Sequence, residues 1–207
     1  MGASAGKAGG VFTSTTGSTV TFTNEATTAD AAKLRYSITN RVKSAWPLAE
    51  SFTVKKDGTT VTTGFTIEHA AGSILFDAAL TTEVVTVSGK YQPVSEVGGF
   101  YQWKADQSVA TAETTDFTAA RSGWETYMSL GVLNAKITAA RHWDTAGFRQ
   151  RVGTPVLVRC YVSVATGEQY TAWAIPASSG ADSDRDKVVD EPIAFALIGP
   201  LHYRSSN

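Results

Sequence analysis

The chain has 207 residues, and its 18 lysines and arginines nearly balance 19 aspartates and glutamates, so bulk charge gives it no means of holding nucleic acid. With 43% hydrophobic and 18% charged residues it belongs among ordinary folded proteins. Cys160 is the only cysteine, which excludes an intramolecular disulfide and a cysteine zinc site and fits assembly in a reducing cytoplasm.

The first segment, MGASAGKAGGVF, is rich in glycine and alanine and lacks the apolar core of a signal peptide. The longest continuous apolar run in the chain is the short IAFALI from Ile193 to Ile198, so no membrane span is indicated. Gly6-Lys7 does not make a phosphate loop, because Met1 stands at the leading glycine and Ala8 replaces the Ser or Thr. We predict a flexible N-terminal arm over residues 1–18.

Residues 19–97 are dominated by Thr and Val at period two, which predicts a β-rich segment of hairpins. Asp57-Gly58, between FTVKK and TTVTT, is a strong signal for a two-residue hairpin turn. Ala71-Gly72 separates FTIEH from SILFD, and Ser88-Gly89 follows EVVTV as the expected strand end. The stretch from Asn24 to Asn40 fits either a short helix or a loop before the strand LRYSIT.

The character of the chain changes after Val97, where Gly98-Gly99 marks a predicted module boundary. A second module over residues 98–207 begins with a strand whose successive side chains alternate between two faces. One face carries Tyr101, Trp103 and Ala105, and the other carries Gln102, Lys104 and Asp106.

A short amphipathic helix is predicted near residues 123–130. Ser122 stands three residues before Glu125, as in a capping box, and Trp124, Tyr127 and Met128 then follow at helical spacing. A helix of two turns is unstable alone and must dock on its own subunit or on a neighbour. These three side chains are therefore candidates for subunit packing.

The C-terminal part returns to strands, with a hairpin turn at Thr166-Gly167 and a closing strand in PIAFALIGPLHY. Between them the polar loop from Ala177 to Glu191 is long enough to be either functional or disordered. Asp182, Asp184 and Asp186 alternate as in a calcium loop, but Lys187 replaces its glycine, so a solvated acidic loop is the favoured interpretation.

The residues give no basis for catalysis or for a cofactor. His69, His142 and His202 are isolated in sequence, and no serine lies in a nucleophile elbow. Without a nucleophile and base or a set of metal ligands, we predict that the chain is not an enzyme and binds no cofactor or metal.

Several segments, in order, resemble the tail tube proteins of phages with long non-contractile tails. They are DFT at Asp116–Thr118, GWETY at Gly123–Tyr127, RHW at Arg141–Trp143, VLVRCYV at Val156–Val162 and the closing EPIAFALIGPLHY. The resemblance runs from about Gly98 to Tyr203, half of the chain, and rests on element order and aromatic placement. It implies a mainly β fold, an antiparallel β-sandwich or barrel with one short flanking helix.

The same resemblance implies a structural virion protein that is assembled in the host cytoplasm. Hexameric rings of it would stack into a hollow tube for DNA ejection. Its implied partners are further copies of itself and the tape measure, tail terminator and distal tail proteins, with double-stranded DNA passing through unbound and no membrane contact. A conduit for DNA should lack basic patches, so the acidic candidates for the lumen are Asp106, Glu113 and Asp116.

Contacts between rings are expected from the polar loop, with Asp182, Asp184, Arg185 and Asp186 as candidates. Two alternatives stay open from the sequence. One is a tail terminator, head-tail adaptor or capsid decoration protein of similar β-rich style. The other is an extracellular carbohydrate-binding β-sandwich in which Trp46, Trp103 or Trp173 would stack on sugar rings.

Overall fold

The computed structural model describes residues 10–14, 17–113, 127–142, 151–180 and 189–205, with side chains described except at 110–113 and 127–133. Their regular structure is mainly β-strand, and Arg41–Lys43 form a turn of 3-10 helix. The strands in chain order are β1 (Gly10–Ser14), β2 (Val20–Ala29), β3 (Arg35–Ile38), β4 (Thr53–Lys56), β5 (Thr59–Val61), β6 (Phe65–Glu68), β7 (Ser73–Phe76), β8 (Val85–Tyr91), β9 (Val94–Glu96), β10 (Phe100–Glu113), β11 (Tyr127–His142), β12 (Val156–Ser163), β13 (Glu168–Ser179), β14 (Asp190–Leu197) and β15 (His202–Arg204).

The strands make two antiparallel sheets, which confirms the predicted mainly β class. The main sheet has the order β10-β11-β14-β13-β12-β1-β9, with β15 also paired to β13. The N-terminal sheet has the order β5-β4-β8-β2-β3-β7-β6. Strands between residues 20 and 91 belong to the N-terminal sheet, and the main sheet takes β1 together with everything from β9 onward.

The two end strands of the main sheet, β9 and β10, are consecutive in sequence, which indicates that the sheet curls. Only residues 97–99 join β9 to β10, so the two ends of the sheet approach each other. Val97 and Phe100 pack against a core that lies inside the curl. The buried members of this core are Val11, Ile137, Ala139, Val156, Val158, Cys160, Ala172, Ala174, Ile193 and Phe195.

The N-terminal sheet covers a second core built on aromatic rings. Trp46 is fully buried and stacks on Phe52 with ring centroids 4.6 Å apart. Ile38, Val54, Ile74 and Val87 complete this core without any exposed surface. Alternation of Val and Ile with Thr along these strands places one residue type inward and the other outward, as the period-two pattern predicts.

The two sheets meet in a third apolar cluster of Ala45, Ala70, Leu157 and Trp173. Trp173 in β13 donates its Nε1–H to the carbonyl oxygen of Trp46, at 2.9 Å, and so joins the two sheets by a buried hydrogen bond. Thr171 similarly donates from Oγ1 to the carbonyl of Ala70, at 3.2 Å.

Three predicted turns are confirmed. Asp57 and Gly58 both adopt positive φ between β4 and β5, Gly72 does so between β6 and β7, and Gly167 between β12 and β13. The expected break at Ser88-Gly89 is wrong, because β8 runs through to Tyr91. A Cβ on Gly89 would overlap the ring of Phe52, so this glycine makes room for an aromatic side chain rather than ending a strand.

Two further predictions need correction. The flexible arm over residues 1–18 is wrong for Gly10–Ser14, which form β1 between β12 and β9 and are largely buried. The helix near 123–130 is wrong from Tyr127 onward, where β11 begins, and residues 123–126 lie outside the described part. Pairing with β10 decides the conformation here, because a few residues at helical spacing express only a weak local preference.

Candidate assembly interface

β10 lies at one end of the main sheet and, in the described part of the chain, pairs with β11 alone. It has 14 residues, whereas the strands that end the sheets elsewhere, β9, β5 and β6, have 3, 3 and 4. An unpaired edge presents a row of backbone N–H and C=O groups on which another strand can pair. β10 is therefore the edge best suited to accept a strand from another chain.

The hairpin of β10 and β11 extends well beyond the rest of the main sheet. β14 pairs with β11 from Lys136 to His142, so in the described part of the chain residues 127–135 of β11 have β10 as their single partner strand, with an irregular register at residues 130–132. The seven residues 107–113 of β10 set the length of this two-stranded part, which at about 3.4 Å per residue is about 24 Å. We call residues 107–113 and 127–135 the ribbon. A two-stranded hairpin is marginally stable in water, so the ribbon is expected to gain stability from contacts outside its own subunit.

The two faces of the hairpin differ where they join the sheet. Trp103 and Ala105 of β10 lie opposite Ala139 and Ile137 of β11, and all four pack against the core of the main sheet. On the same face, Val109 lies farther out on the ribbon and its side chain is 44% exposed. The core thus supports this face only at the base of the hairpin.

An open groove lies at the base of the ribbon, with a volume of about 450 Å³. The ribbon side is formed by Asn134 and Ala135, and the opposite side by the connection from Leu197 to Leu201. Ile198 in this connection is 44% exposed. Together with Val109 it gives the base of the ribbon an uncovered apolar character that a packed neighbour would bury.

The face of the hairpin that points away from the core of the main sheet, which we call the outer face, is polar and carries both signs of charge. Lys104 and Asp106 form an ion pair of 3.0 Å, and Lys136 lies directly across from Asp106 in the register. Asp106, one of the three acidic candidates for the lumen, is therefore compensated by neighbouring lysines. The backbone of Glu113 lies opposite Tyr127 on the ribbon, and Asp116 lies outside the described residues.

The base of the hairpin is held by a buried ion pair between neighbouring strands. Arg141 Nε lies 2.6 Å from Glu191 Oε2, with the two side chains 5% and 0% exposed. Ser179 donates its hydroxyl to the other oxygen of Glu191. Next to this pair, His142 Nδ1 lies 3.1 Å from Asp190 Oδ1, and its ring stacks on Tyr101 at 4.7 Å.

The other predicted site residues are placed only in part. In the ribbon, Tyr127 and Met128 lie opposite Glu113 and Ala112, so two of the three packing candidates belong to the segment that projects from the sheet. Trp124 lies outside the described residues. The same holds for the loop candidates Asp182, Asp184, Arg185 and Asp186.

No family model matches this chain, and no curated protein matches it. Two solved structures are similar in fold. One is a chain from the tail of an empty gene transfer agent (GTA) particle refined with helical C6 symmetry, 15% identical, with a TM-score of 0.44 over 55% of this chain and 87% of that chain. The other comes from the virion of a native GTA particle, 16% identical, with a TM-score of 0.42 over 54% and 89%.

The described residues offer no cluster of three metal-ligating side chains. Cys160 is fully buried, and burial raises the pKa of its thiol to about 12, so it is held as an unreactive thiol. Among the same residues no helix has the length and apolar character needed to cross a bilayer.

Two of the three tryptophans suggested for sugar stacking belong to the interior. Trp46 is 0% and Trp173 is 4% exposed, and each also takes part in the hydrogen bond that joins the sheets. Trp103 is half-buried and packs edge-on against Tyr170, with ring centroids 6.0 Å apart. A sugar-binding platform needs an exposed ring face, so the prediction is wrong for Trp46 and Trp173.

Proposed function

We propose that this chain is a structural virion protein, the tail tube subunit of a phage-like particle, and that it acts by self-assembly rather than by catalysis. The observation that carries the proposal is the hairpin of β10 and β11, which combines a 14-residue open edge with a ribbon that pairs with no other strand of the described residues. Both features are liabilities in an isolated molecule and become contacts when copies join.

In the proposed assembly, β10 of one copy pairs with a strand of the next, and six copies close into a ring. Closure removes the open edges of the main sheet, because every subunit then provides a strand for its neighbour. The front and back of such a ring differ, so rings add head to tail and form a tube. The hexameric number follows the sequence resemblance to tail tube proteins.

The outer face of the hairpin, which points away from the core of its own subunit, has a composition that suits a wall along which DNA slides. Among its described residues the charges are Lys104, Asp106 and Lys136, and the uncharged polar residues next to them are Gln102, Ser108 and Asn134. Such a mixed polar surface offers no run of cations that would hold phosphates. Glu113 and Asp116 remain the proposed acidic residues of the lumen. The predicted ends of the polar loop are wrong, because residues 177–179 belong to β13 and Glu191 lies in β14, buried against Arg141. Residues 181–188, which include the loop candidates, remain the proposed contact between rings.

Negative-stain microscopy of the purified chain at high concentration tests the proposal. Open-ended tubes are the expected result. Closed rings alone would favour the terminator or adaptor function over the tube. A dispersed monomer at all concentrations would contradict self-assembly altogether.

A matched pair of variants tests whether assembly depends on the ribbon. Val109→Lys adds a charge to the apolar side of the ribbon, and Val84→Lys adds the same charge to a valine that is 65% exposed near the N-terminal sheet. Both valines are exposed in the subunit, so both variants should unfold at the wild-type temperature. We expect only Val109→Lys to lose tubes, because a lysine buried between copies is unpaired. Normal tubes from Val109→Lys would show that assembly does not bury this face of the ribbon.

A further inference from the structure

A polar cleft of about 430 Å³ lies where the N-terminal sheet meets β13 and β15 of the main sheet. None of its lining residues belongs to the hairpin that the proposed function uses. Its walls include Ser37, Thr39, Arg41, Gln169, Thr171 and Arg204.

Three guanidinium groups gather at this cleft, and we call Arg41, Arg159 and Arg204 the arginine cluster. Arg41 and Arg204 line the cleft, and Arg159 lies behind them with 3% of its surface exposed. Burial lowers the pKa of Arg204, and the positive charges of Arg41 and Arg159 lower it further, so the three groups lie close enough to repel one another. Burial also lowers the pKa of Arg159.

None of the three forms an ion pair with a carboxylate of the described residues, where the ion pairs are those of Arg35, Lys43, Lys90, Lys104, Arg141 and His142. The carboxylates nearby are already used. Glu68 accepts from two guanidinium nitrogens of Arg35, and Asp30 accepts from the backbone N–H groups of Leu34 and Arg35. Arg159 is buried, and buried arginines are normally paired, so among the described residues the cluster has a charge that no carboxylate balances.

The cluster is held in place by local structure. Asn40 caps the 3-10 turn that begins at Arg41, and Ser44 donates its hydroxyl to the carbonyl of Arg41 at 2.7 Å. The same hydroxyl oxygen accepts from Arg159 Nη2 at 2.8 Å, so one serine ties two of the arginines together. This arrangement fixes the guanidinium of Arg159 and the backbone of Arg41 before any ligand arrives, which lowers the entropic cost of binding.

Two buried polar atoms at this place have no hydrogen-bond partner among the described residues. They are Nε of Arg159 and Oε1 of Gln169, which is 6% exposed and lines the cleft. Most buried polar atoms in proteins are paired, so each is a sign of a missing partner. Rotation of the Gln169 amide by half a turn would place its NH₂ group at that position as a further donor.

We propose that the arginine cluster is an oxyanion site that binds a carboxylate or a phosphate group in the cleft between the two sheets. The planar fork of a guanidinium matches the paired oxygens of both groups, and hydrogen bonds between charged partners are the strong ones. The anion is either free phosphate or an acidic side chain of a second copy of this chain.

Isothermal titration of inorganic phosphate into the dispersed full-length chain tests the site, with chloride keeping the ionic strength constant. We expect one saturable site, weakened about tenfold or more in Arg41→Gln and in Arg204→Gln, since each loses a charge-assisted hydrogen bond. Lys136→Gln, which removes an exposed cation from the hairpin, is the matched control and should bind as the wild type does. Without phosphate, Arg204→Gln should unfold no lower than the wild type, because the substitution relieves repulsion.

A pelleting assay on the same variants distinguishes the two sources of the anion. A carboxylate from a second copy predicts that phosphate competes with assembly and that Arg41→Gln and Arg204→Gln assemble poorly. A free anion predicts phosphate binding with assembly unchanged. The proposal is overturned if phosphate binds the wild type no better than Arg41→Gln and if both arginine variants also assemble normally. Phosphate binding is read on the dispersed chain, so this result is independent of whether tubes form.

Discussion

Replacing Glu191 by Gln is the sharpest perturbation of the region from which the hairpin projects. The change keeps the shape of the side chain and an oxygen that accepts from Ser179, but it removes the charge that faces Arg141 at 2.6 Å. Both side chains are almost fully buried, so water does not screen the guanidinium left behind.

Breaking a buried pair by removing one partner costs about 3–5 kcal/mol of the free energy of unfolding. Gln keeps one acceptor oxygen, for Ser179, and loses the one that faces Arg141, so about 3 kcal/mol is the smallest loss we expect. For a chain of this length each kcal/mol lowers the unfolding temperature by about 2–4 °C, so the variant should unfold at least about 6–12 °C below the wild type. Glu50→Gln is the control, since its pair with Lys90 at 3.0 Å is partly exposed and worth at most about 1 kcal/mol.

Urea and thermal unfolding of the dispersed subunit give both values. The double variant Arg141→Met/Glu191→Leu should recover most of the loss, because it leaves no unpaired charge. A loss below about 1 kcal/mol for Glu191→Gln would show that Glu191 is not what balances Arg141. That result would refute the assignment of this pair as the support of the hairpin base.

Three other outcomes follow from the structure. Gly89→Ala should destabilise the subunit by about 1–3 kcal/mol in urea unfolding, because the new methyl group overlaps the Phe52 ring, and a neutral effect would contradict this packing. Cys160 should react with a thiol reagent at pH 8 only after denaturant is added, and fast reaction of the native protein would show that the site opens. Burial lowers the pKa values of His69 and His202 below the unfolded value of 6.5, so the free energy of unfolding should be fully present above pH 6.5 and fall as pH is lowered toward 5; a pH-independent value would exclude this linkage.

Much of the N-terminal sheet was predictable because local chemistry and tertiary structure agree there. Asp57, Gly58 and Gly72 adopt positive φ angles that few other residue types tolerate, so the turns can be located from the sequence alone. Gly89 shows the limit of this reasoning. The same residue type also serves where a distant ring needs space, and no local pattern separates the two uses.

The pairing of distant segments could not be predicted in this way. β1 joins the main sheet through β12, about 150 residues later, although its sequence lies at the end of a Gly-rich stretch. The ribbon is a second case, since Tyr127 and Met128 have helical spacing to Trp124 but pair across to β10. The arginine cluster was also missed, because its three members come from three strands or turns and no sequence signal connects them.

Hydrogen exchange along β10 tests the central claim most directly, by comparing the dispersed subunit with the pelleted assembly. If copies join at the open edge, amides of β10 that exchange freely in the subunit should become strongly protected in the assembly, while those of β5, at the end of the N-terminal sheet, keep their rates. An assembly in which the β10 amides exchange as fast as in the dispersed subunit would contradict the claim.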